Sequence, residues 1–535
     1  MSIARLPAAA LLLAAAAPAA TQPADPSLTA RIIDEATTHS QVMPLAQHLT
    51  DRIGARLTNA PGMRQAEAWT QAKFAEWGLS NIRRQGFEFG RGWSIERSNV
   101  RMLTPRPITL TAIPIPWTPA TAGPLSAPVI LAPIRDEKDL AKWRGRLRGK
   151  IVLLTGPGEI REPAEPVYVR LSGQELRELD QFQQPKYDPA EKACTTRRFE
   201  FARALDTFLD AEGALAYATM SRADGKLVQG MGYLFGPEPA RLPGVEIAAE
   251  DYRRLARLTV AGPVPTLEID TAVRFEEGDT KAYNILADIP GTDSQAGYVM
   301  AGAHLDSWAA ADGATDNAAG VAMVMEAARI IAALKVRPKR TIRFALWAGE
   351  EQGLMGSLAY VEEHLARRGG GGGQLGTGLP RLSRWLNAWP VQPLPGWRDL
   401  SAYFNLDNGT GKIRGITVEN NLAVVPIFQQ WLAPFGPMGA DTLAIQQAGG
   451  TDHVMLRAVG IPAFQFIQDW LDYGRTHHTS ADTFDHLKGD DMRQGAMILA
   501  AFLVNAANAD QPLPRLPLPT QPVVTEPFSP ETDCP

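Results

Sequence analysis

The sequence predicts an α/β protein with a mostly parallel central sheet that is covered by helices on both faces. From about residue 280 onward, apolar strand-like runs alternate with helical stretches, as in GYVMAGAHLDS, a helix from Ala318 to Leu334, and TIRFALWAGEE. Strands that alternate with helices of this length favour parallel pairing. A length of 535 residues also predicts two or three domains, at about 100–200 residues each.

The order of these patterns along the chain predicts the domain organisation. Residues 27–119 begin with two stretches of helical periodicity, SLTARIIDEATTHSQVMPLAQHLTDRIG and MRQAEAWTQAKFAEWGL, and belong to the main domain with residues 266–510. Residues 120–265 have short apolar strands such as GKIVLLTGP and lack a cluster of His and acidic residues, which predicts an inserted, smaller α/β or β-rich accessory domain. The Pro-rich residues 511–535 are expected to form an extended tail.

The first residues have the pattern of a secretory signal. One basic residue, Arg5, precedes an apolar run and small residues that fit an A-x-A cleavage rule, so residues 1–20 are expected to be removed on export. An uncleaved membrane anchor is the alternative, but the run is shorter than the about 18–20 residues that span a bilayer. We therefore expect a periplasmic or extracellular protein with no stable membrane anchor after cleavage.

Charge and cysteine content exclude some kinds of site. The 53 basic and 58 acidic residues give a net charge of -5, which does not predict nucleic-acid binding. The only cysteines, Cys194 and Cys534, either form one disulfide or stay as free thiols, and they exclude a zinc site built on clustered thiolates. Any metal must bind to histidine and carboxylate side chains.

A candidate metal site begins where an apolar strand ends in His304 and Asp306. Ligand sites of open parallel sheets lie at the carboxyl ends of the strands. His304 can bind a metal through one ring nitrogen while Asp306 accepts a hydrogen bond from the other. Asp316 lies in a Gly-containing loop before the next helix, where it either caps the helix or bridges two cations.

The following strand ends in two adjacent acids, Glu350 and Glu351. Adjacent like charges after a buried strand are unfavourable unless a cation offsets them, although an exposed acidic turn is the simpler alternative. We expect Glu351 to bind metal and Glu350 to act as the general base that takes a proton from the attacking water.

Two further strand ends complete the candidate set. Asp407 follows the strand SAYFN, where an ordinary Asp-Asn-Gly turn is the alternative, and GRTHHTSADTFD contributes His477 or His478, of which we favour His478. Nitrogen and oxygen ligands of this kind suit two Zn²⁺ ions, with Mn²⁺ or Co²⁺ as replacements. We assign one ion to His304 and Asp407, the other to Glu351 and His478, and the bridge to Asp316. This chemistry fits amide hydrolysis best.

The motifs AHLDS, DGATDNAAG, WAGEEQGLMGS, NLDNGTG and RTHHTSADTFD, in this order, resemble the co-catalytic zinc exopeptidases of metallopeptidase family twenty-eight. The family includes aminopeptidases and plasma glutamate carboxypeptidase. The resemblance implies an αβα sandwich of the phosphorylase/hydrolase-like type. It also implies that the five residues above bind zinc, with Glu350 as base, and that the insertion is a protease-associated domain.

The resemblance extends to TDHVMLRAVGIPAFQF, where Asp452 and His453 either line the substrate pocket or form a polar turn. The leading hypothesis is a zinc-dependent aminopeptidase or dipeptidase that acts on peptides or dipeptides, with its oligomeric state left open. A carboxypeptidase or amidase would need a cation for the free carboxylate, for which Arg475 is a candidate. A non-catalytic receptor-like relative would lack metal ligands, and all of them are present here.

Overall fold

The computed structural model describes residues 25–158, 166–181, 189–232, 240–369 and 381–521. The predicted signal at residues 1–20 and the end of the Pro-rich tail lie outside these residues. Cys534 and the side chain of Cys194 also lie outside them, so their pairing stays open. Residues 511–521 of the tail form neither helix nor strand, as expected for this composition.

The strands, in chain order, are β1 (Ser80–Glu88), β2 (Gly92–Thr104), β3 (Ile108–Thr109), β4 (Ala112–Pro114), β5 (Leu125–Leu131), β6 (Ile151–Leu153), β7 (Ala216–Met220), β8 (Gly244–Ile247), β9 (Thr266–Glu276), β10 (Lys281–Ile289), β11 (Tyr298–His304), β12 (Thr341–Trp347), β13 (Ala366–Arg368), β14 (Val391–Pro393), β15 (Leu400–Asn405), β16 (Ile413–Thr417), β17 (Thr442–Ala444) and β18 (Ala463–Gln468).

The α-helices are α1 (Pro26–Thr38), α2 (Val42–Gln47), α3 (Pro61–Glu76), α4 (Glu137–Trp143), α5 (Gly173–Leu179), α6 (Pro189–Ala211), α7 (Ala249–Ala261), α8 (Ala319–Ala333), α9 (Met355–Tyr360), α10 (Arg381–Leu386), α11 (Val425–Leu432), α12 (His453–Arg457), α13 (Tyr473–Thr476) and α14 (Gly489–Asn508). Within the described ranges, no helix combines the length and the apolar character needed to cross a bilayer.

The main sheet has eight strands in the order β1-β10-β12-β11-β15-β18-β16-β17. Its centre, from β12 through β11 and β15 to β18, is parallel, as the sequence predicts. The flanks differ, because β10 pairs antiparallel with both β1 and β12, and β16 pairs antiparallel with β18. The α/β class is therefore confirmed, with a mixed sheet whose parallel part lies in the middle.

Helices cover both faces of this sheet. Along β11, Val299 and Ala301 pack into the core that contains α8 and α14, whereas Met300 between them packs into a second core with α9 and α12. Successive side chains of a strand point to opposite faces, so an entirely apolar strand requires cover on both. The result is a three-layer arrangement of helix, sheet and helix.

A second sheet, in the order β3-β2-β9-β5-β6-β7-β8-β4, has its own apolar core around residues such as Ile151 and Val245. The strands from β5 through β6 and β7 to β8 are parallel, and the long strands β2 and β9 pair antiparallel beside them. The strands of this sheet run from Gly92 to Glu276, and so extend on both sides of the segment 120–265 that the sequence analysis singles out.

The strand register of the main sheet brings several strand ends to one edge. His304 at the end of β11 lies opposite Trp347 at the end of β12, and Gly302 lies opposite Asn405 at the end of β15. The residues that follow these strands therefore start from neighbouring points at the same edge of the sheet.

Candidate metal centre and active site

The edge formed by β11, β12 and β15 carries most of the predicted site residues. His304 is the last residue of β11, Glu350 and Glu351 follow β12 after two residues, and Asp407 follows β15 after one. His304 is buried because its strand lies in the middle of the sheet.

Asp316 lies at the centre of the cluster. It is almost fully buried in the turn that precedes α8, and its Oδ1 atom is 3.1 Å from Nε2 of His304. Its Oδ2 atom is 3.1 Å from Nε2 of His478. Asp407 Oδ1 lies 3.4 Å from Nε2 of His304, and Glu351 Oε2 lies 2.8 Å from Nε2 of His478. The structure thus brings all five predicted ligands together. One oxygen of Asp316 lies near His304 and Asp407, and the other lies near His478 and Glu351.

His477 also reaches this cluster, with Nε2 at 3.7 Å from Asp316 Oδ2. Its ring stacks on that of His478, with centroids 3.8 Å apart, and its side chain is 48% exposed against 21% for His478. Since His478 also contacts Glu351, its position fits a buried ligand better than that of His477.

The donor set fits divalent zinc. Among the candidate ligands, three buried carboxylate oxygens accept no hydrogen bond of regular geometry from the described residues, namely Asp316 Oδ2, Glu351 Oε1 and Asp407 Oδ1. Two groups, His304 with Asp316 and Asp407, and Asp316 with both His477 and His478, have ligand atoms within 4.8 Å of one another. Buried carboxylates without donors are costly, and imidazole with carboxylate is a combination that suits Zn²⁺.

The electrostatics of the cluster also favour a bound cation. Burial raises the pKa of Glu350 well above its usual value, against the opposing charge of His304. Burial and the Asp316 carboxylate raise the pKa of Glu351 to about 8. Burial lowers the pKa of His478, but hydrogen bonds with Asp316 and Glu351 outweigh it and raise that pKa to about 10. A cation at this place would stabilise the ionised acids and the neutral imidazoles.

The carboxylate of Asp306 is hydrogen-bonded to the backbone of Glu350 and Glu351. Its Oδ1 accepts a hydrogen bond from the backbone N–H of Glu350 at 3.2 Å and its Oδ2 accepts one from Glu351 at 3.3 Å. Nδ1 of His304 lies 3.0 Å from the backbone oxygen of Asp306 and 3.7 Å from its carboxylate. His304 therefore lies closer to the backbone carbonyl of Asp306 than to its carboxylate, which is the partner that the sequence suggests. The carboxylate of Asp306 is directed at the backbone of the two glutamates.

Two residues that the sequence analysis did not assign to the site also shape it. Asp482 accepts hydrogen bonds from the backbone N–H groups of Thr315, at 2.6 Å, and Asp316, at 3.1 Å. Arg56 is fully buried and donates to the carbonyl oxygens of Leu49, Gly54, Leu305, Asp312 and Gly313. Three of these acceptors, in Leu305, Asp312 and Gly313, are more than 200 positions from Arg56, so these contacts leave no local pattern in the sequence.

Asp452 and His453 have different surroundings. Asp452 is fully buried, with the side chain of Ser357 as a polar neighbour, and burial raises its pKa to about 7, against the charge of His304. The ring of His453 instead lies 3.3 Å from the carbonyl of Ala448 and 3.6 Å from Glu419. Asp452 thus borders the cluster, whereas the His453 ring contacts a different part of the fold.

A cavity adjoins the cluster and shares Asp316, Glu351 and His478 with it. Its other walls are Gln229, Trp308, Ala310, Ala311, Gly313, Thr479 and Asp482. Trp308 packs edge-on against His478, with ring centroids 6.3 Å apart. No Lys or Arg belongs to this described wall, and Arg475, the candidate partner for a free carboxylate, is exposed and is not one of the wall residues.

Comparison with known proteins finds related peptidases. The model of peptidase family M28 matches residues 284–503, the region that holds all five candidate ligands. Carboxypeptidase Q of Mus musculus is 22% identical over 468 residues, covering 87% of this chain and 86% of that protein. Matches to the same-named protein of five other vertebrates cover about half of each chain, at 51% of this one and 52% of theirs.

Two solved structures share the fold. The peptidase M28 precursor from Shewanella amazonensis superposes with a TM-score of 0.64 at 23% identity, over 92% of this chain and 98% of that one. A zinc aminopeptidase from Bacillus subtilis superposes with a TM-score of 0.55 at 18% identity, over 87% of this chain and 94% of that one.

Proposed function

This chain belongs to peptidase family M28 through residues 284–503, and from this premise we propose that it is an exported zinc exopeptidase acting on the free amino end of peptides or dipeptides. Its assignment as a metallopeptidase follows from the family. The terminus that it recognises, its metal count, its base and its export are our proposals. Export rests on residues 1–20, which lie outside the described ranges.

We propose that two zinc ions bind, one to His304 and Asp407 and the other to Glu351 and His478, with Asp316 between them. The two oxygens of Asp316 support this division, since each lies 3.1 Å from a different histidine. Atoms bound to one tetrahedral zinc at about 2.0–2.1 Å lie about 3.3 Å apart, close to the separations seen here. When bound, zinc supplies a Lewis acid that polarises the scissile carbonyl and makes water more acidic.

Glu350 is our candidate for the general base. Its backbone is fixed by Asp306, while its carboxylate forms no hydrogen bond within the described chain and stays free to accept a proton. Glu350 takes a proton from the water whose oxygen forms the new bond to the carbonyl carbon, and passes it to the amine nitrogen as the carbon–nitrogen bond breaks. Burial raises the pKa of Glu350, which favours the protonated form that carries the proton to the amine nitrogen.

The observation that carries the choice of terminus is the charge of the site. Seven acids contribute to it, and two zinc ions together with the buried Arg56 offset five negative charges, so the ionised site keeps a net negative charge. These are Asp306, Asp316, Glu350, Glu351, Asp407, Asp452 and Asp482. Such a site attracts an α-ammonium group, whereas a free carboxylate needs a Lys or Arg that the described cavity wall does not contain.

Metal analysis and hydrolysis assays test this proposal together. Purified protein should hold about two zinc ions per chain, the number of a two-metal site, and should cleave aminoacyl-anilides and unblocked dipeptides. N-acetylated substrates should resist cleavage, while amidation of the carboxyl end should have little effect. Glu350→Gln should retain zinc and lose activity by about 10²–10⁴-fold, the usual contribution of a general base.

The carboxypeptidase alternative, which the name of the mouse relative favours, predicts the reverse pattern. N-acetylated dipeptides would then be cleaved and carboxyl-amidated ones would not. Failure to bind zinc after reconstitution would contradict the metal site itself.

A further inference from the structure

A short segment of the second sheet's domain, Val228 to Gly230, reaches the cavity beside the metal cluster. Val228 exchanges two hydrogen bonds with Ser480, one from its own N–H to Ser480 Oγ at 3.2 Å and one from the N–H of Ser480 to its carbonyl at 2.7 Å. Ser480 lies two residues after His478. The segment is therefore tied directly to the strand-end loop that carries a candidate ligand.

Glu246 holds the same segment from the other side. Its two carboxylate oxygens accept hydrogen bonds from the backbone N–H groups of Gln229, at 2.8 Å, and Gly230, at 2.9 Å. Gly230 has φ of +62° and packs so closely that an added Cβ would lie 3.0 Å from the backbone nitrogen of Ala310. These contacts fix the backbone of the segment against the cavity wall.

None of these contacts involves the side chain of Gln229. Gln229 lines the same cavity as Glu351, His478 and Asp482, and it is half-buried. Its carboxamide forms no hydrogen bond in the portion of the chain described, although the backbone N–H groups of Val228, Gln229 and Gly230 are all hydrogen-bonded. A fixed backbone that presents an uncommitted carboxamide beside a reactive centre is the arrangement of a substrate contact.

We infer that Gln229 determines substrate specificity, by accepting a hydrogen bond from the α-ammonium group of the substrate through its carboxamide oxygen. This inference rests on the proposed function and names a residue for the recognition of the free amino end. Unblocked peptides carry that charge near neutral pH, since α-amino groups have pKa values of about 7.7–8.0. The carboxamide orients the ammonium without adding a further charge to an already acidic site.

Charge variants of Gln229 test the direction of this contact. For an unblocked dipeptide, kcat/KM should fall about ten-fold in Gln229→Ala through a rise in KM, and further in Gln229→Lys because like charges repel. Gln229→Glu keeps an acceptor and should equal or exceed the wild type. The matched variants Gln174→Glu and Gln174→Lys change an exposed glutamine of α5 and should leave kcat/KM unchanged, with zinc content measured for each protein.

Calorimetry on the zinc-loaded variants decides the inference even without turnover. Leucinamide should bind in the order Gln229→Glu, wild type, Gln229→Ala, Gln229→Lys, from tightest to weakest, whereas N-acetyl-leucinamide should not distinguish them. The opposite order, or equal affinities, would overturn the role of Gln229. Absence of hydrolysis by the wild type would instead overturn the proposed function, whatever the calorimetric order.

Discussion

The carboxylate of Asp482 accepts a hydrogen bond from the backbone N–H of Asp316, at 3.1 Å through Oδ2. Its Oδ1 atom accepts two more, from the N–H and the hydroxyl group of Thr315, at 2.6 and 2.7 Å. A residue 166 positions away in sequence thus fixes the turn that carries the central acid of the cluster. Groups that orient metal ligands in this way contribute strongly to metal affinity.

We expect Asp482→Ala to weaken zinc binding about 10–100-fold, the usual effect of removing a group that orients a ligand. Asp482→Asn keeps one acceptor oxygen and should lose less. Competition with a fluorescent zinc chelator measures both. Asp485→Ala, three residues further on and exposed, serves as the control, and an affinity for Asp482→Ala equal to that of the control would contradict the orienting role.

Arg56 provides a second prediction, on stability. Its guanidinium group donates to five backbone carbonyls of two loops, and burial lowers its pKa to about 10, so the group stays charged near neutral pH. Arg56→Ala leaves several buried acceptors without donors, at about 1–3 kcal/mol each, and should lower the unfolding free energy by about 3 kcal/mol or more.

Denaturant titration gives this loss directly. Arg56→Lys keeps the charge but not the planar fork of donors, so it should recover only a small part of the stability. Arg52→Ala, on the exposed side of the same N-terminal region, is the matched control. Equal midpoints for Arg56→Ala and Arg52→Ala would show that the buried contacts contribute nothing.

Gly320, at the start of α8, gives a third prediction, because helix propensity favours Ala at this position whereas packing favours Gly. A Cβ at this position would lie 2.3 Å from Oδ1 of Asn317 and 2.4 Å from the carbonyl oxygen of Leu406. Asn317 and Leu406, which are also hydrogen-bonded to each other at 2.9 Å, adjoin the candidate ligands Asp316 and Asp407. Propensity alone would make Ala better than Gly by about 1 kcal/mol within a helix.

We expect Gly320→Ala to destabilise the fold by about 1–3 kcal/mol, as overpacking does, and to weaken zinc binding as well. Gly474→Ala is the control, since nothing lies within 4 Å of a Cβ built there. Thermal unfolding with and without zinc measures both effects. A Gly320→Ala protein as stable as the control would show that the neighbouring backbone yields at little cost.

The central sheet and the cluster were accessible from the sequence because both leave local patterns. β11 is apolar at each position before His304, and acids follow β12 and β15 directly, so the alternation of elements alone brings those ends to one edge. The mixed flanks left no such pattern. The antiparallel pairing of β10 with β12 depends on how the chain returns from the second sheet, which no local periodicity encodes.

The supporting contacts were inaccessible for a related reason. Arg56 and Asp482 contact backbone groups far away in sequence, and both are of residue types that are usually found at the surface. Only the fold shows that Arg56 is buried, or that Gln229 reaches the cavity from the segment between β7 and β8. The chemistry of a site is thus easier to predict from sequence than the contacts that position it.

His453 yields a last prediction, on the pH dependence of stability. Burial, with the charge of Arg457 added, lowers the pKa of His453 to about 3 from an ordinary value of 6.5. Glu419 lies 3.6 Å from its ring, but Arg457 pairs with that carboxylate, and the carbonyl of Ala448 is its closest polar contact. The ring is therefore neutral in the folded protein under conditions in which the unfolded chain protonates it.

Because its folded pKa is depressed, His453 favours folding above pH 6.5 and loses that contribution as the pH falls toward 3. Between these pH values the unfolded chain binds up to one proton more at His453 than the folded protein does. The unfolding free energy therefore changes by up to about 1.4 kcal/mol per pH unit. His453→Gln keeps a donor for Ala448 without titrating, so its unfolding free energy should fall less steeply than that of the wild type over this range. Denaturant titrations of the zinc-free proteins at several pH values measure the difference.

The control is His39→Gln, at an exposed histidine, which should retain the wild-type slope. Equal slopes for His453→Gln and the wild type would mean that the buried ring takes up its proton without unfolding.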